Sequence, residues 1–322
     1  MNNAEYKSFP KDTSDLGSQT REPMAKLPPY EVGPALLWAV LLLIGWRPLV
    51  DTFALSLRDD AYTYILLIFP ISATLIFLEW RSVRTLSTLG IRAGSALLAV
   101  AVFLACSTLL WSASLPSDVQ LSIRMLALVL SWTGAFVLCF GSRTSKQVLF
   151  PLSFLFGLVP LPHIVLNGII NFLQLGSAWA AHLIFAVFGV PVAQDGVLLT
   201  IPGLAIQVAS ECSSIRSSSM LLVTAIVLAQ LLLRSPWRKA VVIGLAVPLS
   251  VAKNGLRIFV IAMLGTRVDP GYLTGRFHHQ GGFVFFAVAL IAIFTLLWIL
   301  RRREDLSPIS ELNTVKAVTT GG

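Results

Sequence analysis

Three residues carry the chemistry this chain could perform: Cys212, Arg257 and His278. A thiolate is a nucleophile, a guanidinium anchors an oxyanion or a carboxylate, and an imidazole moves protons near neutral pH. Each falls near the end of a long apolar segment, and the topology argued below brings all three ends to one membrane surface. The set predicts chemistry on a peptide bond beside a bilayer.

Cys212 sits in ASECSSIRSSS (209–219), where polar residues give way to the apolar run LLVTAIVLAQLLL. A helix starting near Ser210 places free amides and a positive dipole end beside the sulfur, and both favour thiolate. Arg216, four residues on, shares that helical face and acts in the same direction. Cys106 and Cys139 lie inside apolar runs and read instead as small core residues. Arg257 lies in SVAKNGLRIFVIAML (250–264), about seven residues or roughly 10 Å from the outer end of its span. At that depth an arginine must face the bundle interior or a wet cavity, snorkel, or pair with an acid, for which Glu211 is nearest. Ser250, Asn254 and Arg257 share one face, with Lys253 near it. His278 and His279 open the last span in FHHQGGFVFF (277–286). Adjacent side chains on a helix diverge by about 100° and do not readily clamp one metal, and no ligand spacing links them to Cys212. A general acid or base is the better role, and neither metal nor cofactor is expected. Gly281 and Gly282 permit close backbone approach beside them.

The elements that must position these groups are membrane spans. The 322 residues are 56% hydrophobic and only 12% charged, with mean hydropathy +0.79. Apolar runs of roughly 20 residues recur, the length of a bilayer-crossing helix. Spans are expected at 33–50, 61–79, 93–113, 122–141, 147–163, 212–233, 240–264 and 281–300. The fold class is therefore an all-α polytopic membrane protein of about eight helices. The net charge of +8 is carried largely by short loops, which orients the protein and argues against nucleic acid as a partner. Arg81, Arg84, Arg92, Arg143, Lys146, Arg234, Arg238, Lys239 and Arg301 to Arg303 thread consistently as cytoplasmic. Asp51, Asp59, Asp60, Asp118, Asp195 and Asp269 then fall outside, together with Arg58, Arg267 and Arg276. Residues 1–32 read as a disordered cytoplasmic N-terminus without a cleavable signal, 33–300 as one transmembrane domain, and 301–322 as a cytoplasmic tail.

Residues 163–190 fit this threading least simply. They begin and end outside and carry Asn167, Asn171 and Gln174 on one helical face, so they read as a helix lying along or dipping into the outer interface. The following PVAQDGVLLTIPG (191–203) has an Asp195-Gly196 turn between β-prone runs. It reads either as a small hairpin that positions an extended peptide or as a plain connector.

ECSSIRS, KNGLRI and HHQGG on successive late spans resemble the exosortase/archaeosortase family of membrane transpeptidases. The resemblance spans roughly residues 60–300, includes the Asp-Gly turn before the cysteine, and extends loosely to DDAYTYILLIFP (59–70). It implies a cysteine transpeptidase at the cytoplasmic membrane, its site facing the extracytoplasmic side. Such enzymes cut exported proteins at a C-terminal sorting signal (motif, transmembrane helix, basic tail) and pass them to a lipid or glycan acceptor. Cys212 and Arg257 take the family's cysteine and arginine. His278, four residues before the Gly282-Phe283 pair, takes its histidine, with His279 second; Asn254, Arg216 and Ser213 are candidates for support. Two positions depart from the family pattern. Cys212-Ser213-Ser214 stands for Cys-Ser-Gly, and Gly282-Phe283 for Gly-Trp. An intramembrane-type cysteine protease that hydrolyses the same bond is the alternative of the same chemistry. A small-molecule transporter lined by Arg257, Lys253 and Asn254 is the alternative of another class.

Overall fold

The computed structural model describes residues 37, 39–79, 90–111, 113–208, 215–274 and 282–320. Helices α1 (Trp46–Arg58), α2 (Ile65–Leu78), α3 (Ile91–Leu110) and α4 (Ser117–Gln147) are followed by the short α5 (Leu149–Phe154) and a 3₁₀ turn, Leu155–Leu158. Then come α6 (His163–Val187), strands β1 (Ala193–Asp195), β2 (Leu198–Ile201) and β3 (Leu204–Gln207), and helices α7 (Ile215–Leu232), α8 (Pro236–Arg267), α9 (Gly271–Thr274) and α10 (Gly282–Thr320). Among the described residues, seven helices are long and apolar enough to cross a bilayer: 60–78, 91–110, 117–147, 163–187, 215–232, 236–267 and 282–304. This is an all-α polytopic membrane fold. Large side chains such as Phe103, Trp179, Ile164 and Phe283 lie exposed on its outer surface, as lipid contact requires. Residues 301–320, expected as a solvated tail, continue α10.

Small residues set how closely the helices approach, because lipid supplies no hydrophobic drive to helix association. A Cβ on Gly94 would sit 2.6 Å from the Leu138 backbone, so α3 and α4 touch backbone to backbone. A Cβ on Gly255 of α8 would sit 2.6 Å from that of Ala180 on α6, and Gly176 of α6 meets Val251 of α8. A core of Tyr62, Ile65, Met125, Trp132, Phe136 and Leu158 fills the space between α2, α4 and the broken segment after α4.

Two expectations for the middle of the chain resolve differently. The run 147–163 is not a straight span. Gly141 (φ 80°, ψ 163°) breaks α4, and Pro160 and Pro162 close the run. The chain nevertheless returns along α4, since Ser122 Oγ donates to Pro160 O at 2.7 Å and Tyr62 Oη to Leu161 O at 2.7 Å. Residues 163–187 form one helix whose first backbone amide donates to Asp118 Oδ2 at 2.8 Å. By length it qualifies as a crossing helix. Its start is tied to Asp118, and the sheet after its end packs on Phe259 and Ala262 near the end of α8.

That sheet face carries Asp59, Asp60, Asp118, Asp195 and the start of α7. The opposite face gathers the start of α3, the Gly141 end of α4 and the α7–α8 turn. There Glu304 accepts from the amides of Arg234 (3.0 Å) and Ser235 (2.9 Å) and lies 3.7 Å from Arg238. Arg92, Arg143, Lys146, Arg234, Arg238 and Arg301 thus share a face, and the acidic loops share the other. The sheet is antiparallel in the order β1-β2-β3. Asp195-Gly196 makes its first turn as expected, with Gly196 at φ 57°. A second turn, Pro202-Gly203 with Gly203 at φ 84°, adds the third strand.

Candidate functional site

The polar face of α8 is built at helical spacing. Ser250, Lys253, Asn254 and Arg257 lie at i, i+3, i+4 and i+7 and form one stripe. Ser250, Lys253 and Asn254 are buried although the helix is long enough to span. They face the first turn of α7. Ser250 Oγ donates to Ser218 Oγ at 2.6 Å, and Lys253 Nζ donates to Ser217 Oγ. Burying an ammonium in a span costs several kcal/mol unless polar groups meet it, and the hydroxyls of α7 do so. This pairing fixes the register of α7 against α8.

Arg257 stands one turn beyond Lys253 toward the sheet face and is half-buried. Its Cζ and Nη1 lie 4.0 Å from where a Cβ on Gly282 would be, so the guanidinium rests against the first residue of α10. Arg257 thus faces the bundle interior, one of the placements its depth allowed. It joins α8 to the start of α10, as Lys253 joins α8 to the start of α7. Asn254, buried beside Lys253, completes the stripe.

Arg216, on the first turn of α7, donates from Nη1 to Asp60 Oδ1 at 2.9 Å. Both partners are exposed, 54% and 74%, so the pair contributes little to stability. Its geometric effect is larger, since it ties the start of α7 to the 3₁₀ turn Asp60–Tyr62, whose cap is Asp59 Oδ1 accepting from the amide of Ala61. Asp60 is the second residue of the 59–70 segment, which meets the start of α7 here.

Cys212, Ser213, His278 and His279 lie outside the described residues. The described residues on either side of them are Val208 and Ile215, and Thr274 and Gly282. Gln174 Nε2 donates to Val208 O at 3.2 Å, anchoring the chain where it leaves the sheet. Sequence reading missed this residue's role and those of Ser217 and Ser218. The signal for Gln174 was its place on a polar helical face. For the serines it was the run of hydroxyls at the start of an apolar helix. Among the described residues, no three His, Cys, Asp or Glu side chains group to hold a metal ion.

Seven long apolar helices, a small three-stranded sheet and a cationic polar stripe reaching the starts of two late helices define a multi-pass membrane protein. A family model described as transmembrane exosortase matches residues 54–295, most of the chain. The chain belongs to the transmembrane exosortase family, a family of membrane transpeptidases. No curated protein and no solved structure matches it.

Proposed function

We propose that the protein is a cysteine transpeptidase of the cytoplasmic membrane. It cleaves exported proteins at a C-terminal sorting signal and transfers them to a lipid or glycan acceptor at the cell surface. The observation that carries this reading is the Arg257 guanidinium lying against Gly282, with α7 locked to α8 one turn below. Cys212 is three residues before Ile215 and His278 four before Gly282, tethers of about 11 and 14 Å at full extension. Thiol and imidazole thus belong to the two chain segments that lead into helices already braced to α8.

In this mechanism the Cys212 thiolate adds to the scissile carbonyl, and Arg257 stabilises the oxyanion or holds a substrate carbonyl. His278, with His279 as the second choice, protonates the leaving amine as the thioester forms. It then takes the proton of the incoming acceptor nucleophile as that nucleophile displaces sulfur. Asn254, Arg216 and Ser213 support the site. The acidic sheet face is the extracytoplasmic side and the basic face is cytoplasmic.

The test is co-expression with a secreted reporter ending in motif, apolar helix and basic tail. Cys212→Ala abolishes reporter processing while its membrane level stays that of the unaltered chain; continued processing by this variant refutes the covalent mechanism. The mass of the processed C-terminus separates transfer from hydrolysis, an adduct marking the first and a free carboxylate the second.

A further inference from the structure

The β3 strand has one side open. Val208 N donates to Val197 O at 2.9 Å, and Ile206 and Leu204 pair with Leu199 and Ile201. Backbone groups alternate in direction along a strand, so those of Leu204, Ile206 and Val208 face β2. The N–H and C=O of Ala205 and Gln207 therefore point away from the sheet. The order β1-β2-β3 makes that side an edge. Both residues are exposed, and among the described residues no hydrogen bond engages their outward groups. Native sheets usually guard such an edge with a charge, a proline or a covering element. The sequence of β3, Leu-Ala-Ile-Gln, carries neither charge nor proline.

We propose that this edge receives an extended stretch of the substrate polypeptide, which adds to the sheet as a fourth strand. The inference rests on the transpeptidase reading above, which makes a polypeptide the substrate. Donor and acceptor repeating at strand spacing complement another peptide backbone. The edge is continuous with the proposed site. β3 runs into Val208, whose carbonyl Gln174 holds, and Cys212 follows four residues later. β1, the opposite edge, leads back to α6 instead. Recognition through the backbone leaves side-chain pockets free to read alternate residues of the motif.

Proline at an outward position removes one edge donor and leaves the β2–β3 ladder intact. With the full-length enzyme in detergent and a synthetic peptide carrying a motif, apolar helix and basic tail, Ala205→Pro and Gln207→Pro each raise KM about three- to tenfold, the loss of one backbone hydrogen bond, with kcat little changed. Gln194→Pro, outward on β1, leaves KM as it was. Unchanged KM in both β3 variants, or a rise confined to Gln194→Pro, overturns the proposal while leaving the transpeptidase reading standing. A peptide that the unaltered enzyme does not process overturns that reading, and this one with it. A second measurement does not depend on turnover. In an Ala205→Cys, Cys212→Ser chain, disulfide crosslinks to cysteines scanned along the peptide recur at every second position. A repeat of three to four, or a disulfide between two copies of the enzyme at position 205, overturns strand addition of substrate.

Discussion

Arg257 is the residue on which placement and chemistry meet. Its guanidinium lies between the polar stripe of α8 and the first residue of α10. Lysine there keeps the charge but loses the planar fork, so Arg257→Lys is expected to lower kcat about 10²–10³-fold with little change in membrane level, measured as the rate of reporter processing. Lys253 offers a contrast. It is buried and bonded to Ser217 of the neighbouring helix. Lys253→Met removes the bond and the charge together and should loosen α7 against α8. The expected result is a more protease-sensitive α7–α8 hairpin and slower processing, and Ser217→Ala should reproduce part of it. The sequence made Arg257 legible because an arginine at that depth needs a polar surrounding. It left Ser217 and Ser218 illegible because serine is cheap anywhere in an apolar helix, and their value lies in what faces them.

At the scale of elements, the α6–α8 seam holds the sheet in place, since the sheet packs on Phe185, Phe259 and Ala262 from those two helices. Gly255 is its tightest point. A side chain there meets Ala180 Cβ at 2.6 Å and the Ala181 amide at 2.8 Å, neither of which can swing aside. Gly255→Val is expected to destabilise the protein by about 1–3 kcal/mol, read as a lower unfolding temperature in detergent, with processing impaired in proportion. Hydropathy found the late helices to within a few residues, because α7, α8 and the start of α10 each carry a long stretch of high mean hydropathy despite the polar stripe of α8. It failed at 147–163, where an apolar run of spanning length holds only the short α5 and a 3₁₀ turn before Pro160 and Pro162 end it. Apolarity reports burial in lipid and says nothing of whether the backbone inside it is continuous. The Asp-Gly signal found the first hairpin, and β3 escaped because a four-residue strand has too few positions to show alternation.

The whole molecule is polarised. Acidic loops and the sheet occupy one face, while the basic helix ends and the Glu304-capped turn occupy the other. In a chain whose three native cysteines are replaced, a cysteine at Asp195 should react with a membrane-impermeant maleimide on intact cells. One at Arg301 should react only after the membrane is opened. The reverse pattern would invert the proposed orientation. The gathering of basic residues at one end of the helices was legible because arginine and lysine clustered in short loops. The tilt and pairing of helices were not, since they follow from small residues such as Gly94 and Gly255 whose partners lie far away in the chain.

The bond between Asp60 and Arg216 joins residues 156 positions apart. At a ribosome's pace of about 5–20 residues per second, the aspartate waits on the order of 10–30 s for its arginine to be made. Until then the core of the early helices lacks Ile215 and Val223 of α7, which pack against it. A nascent chain halted before Arg216 should accordingly be held by membrane chaperones, and be released only when the second half of the protein arrives to close it.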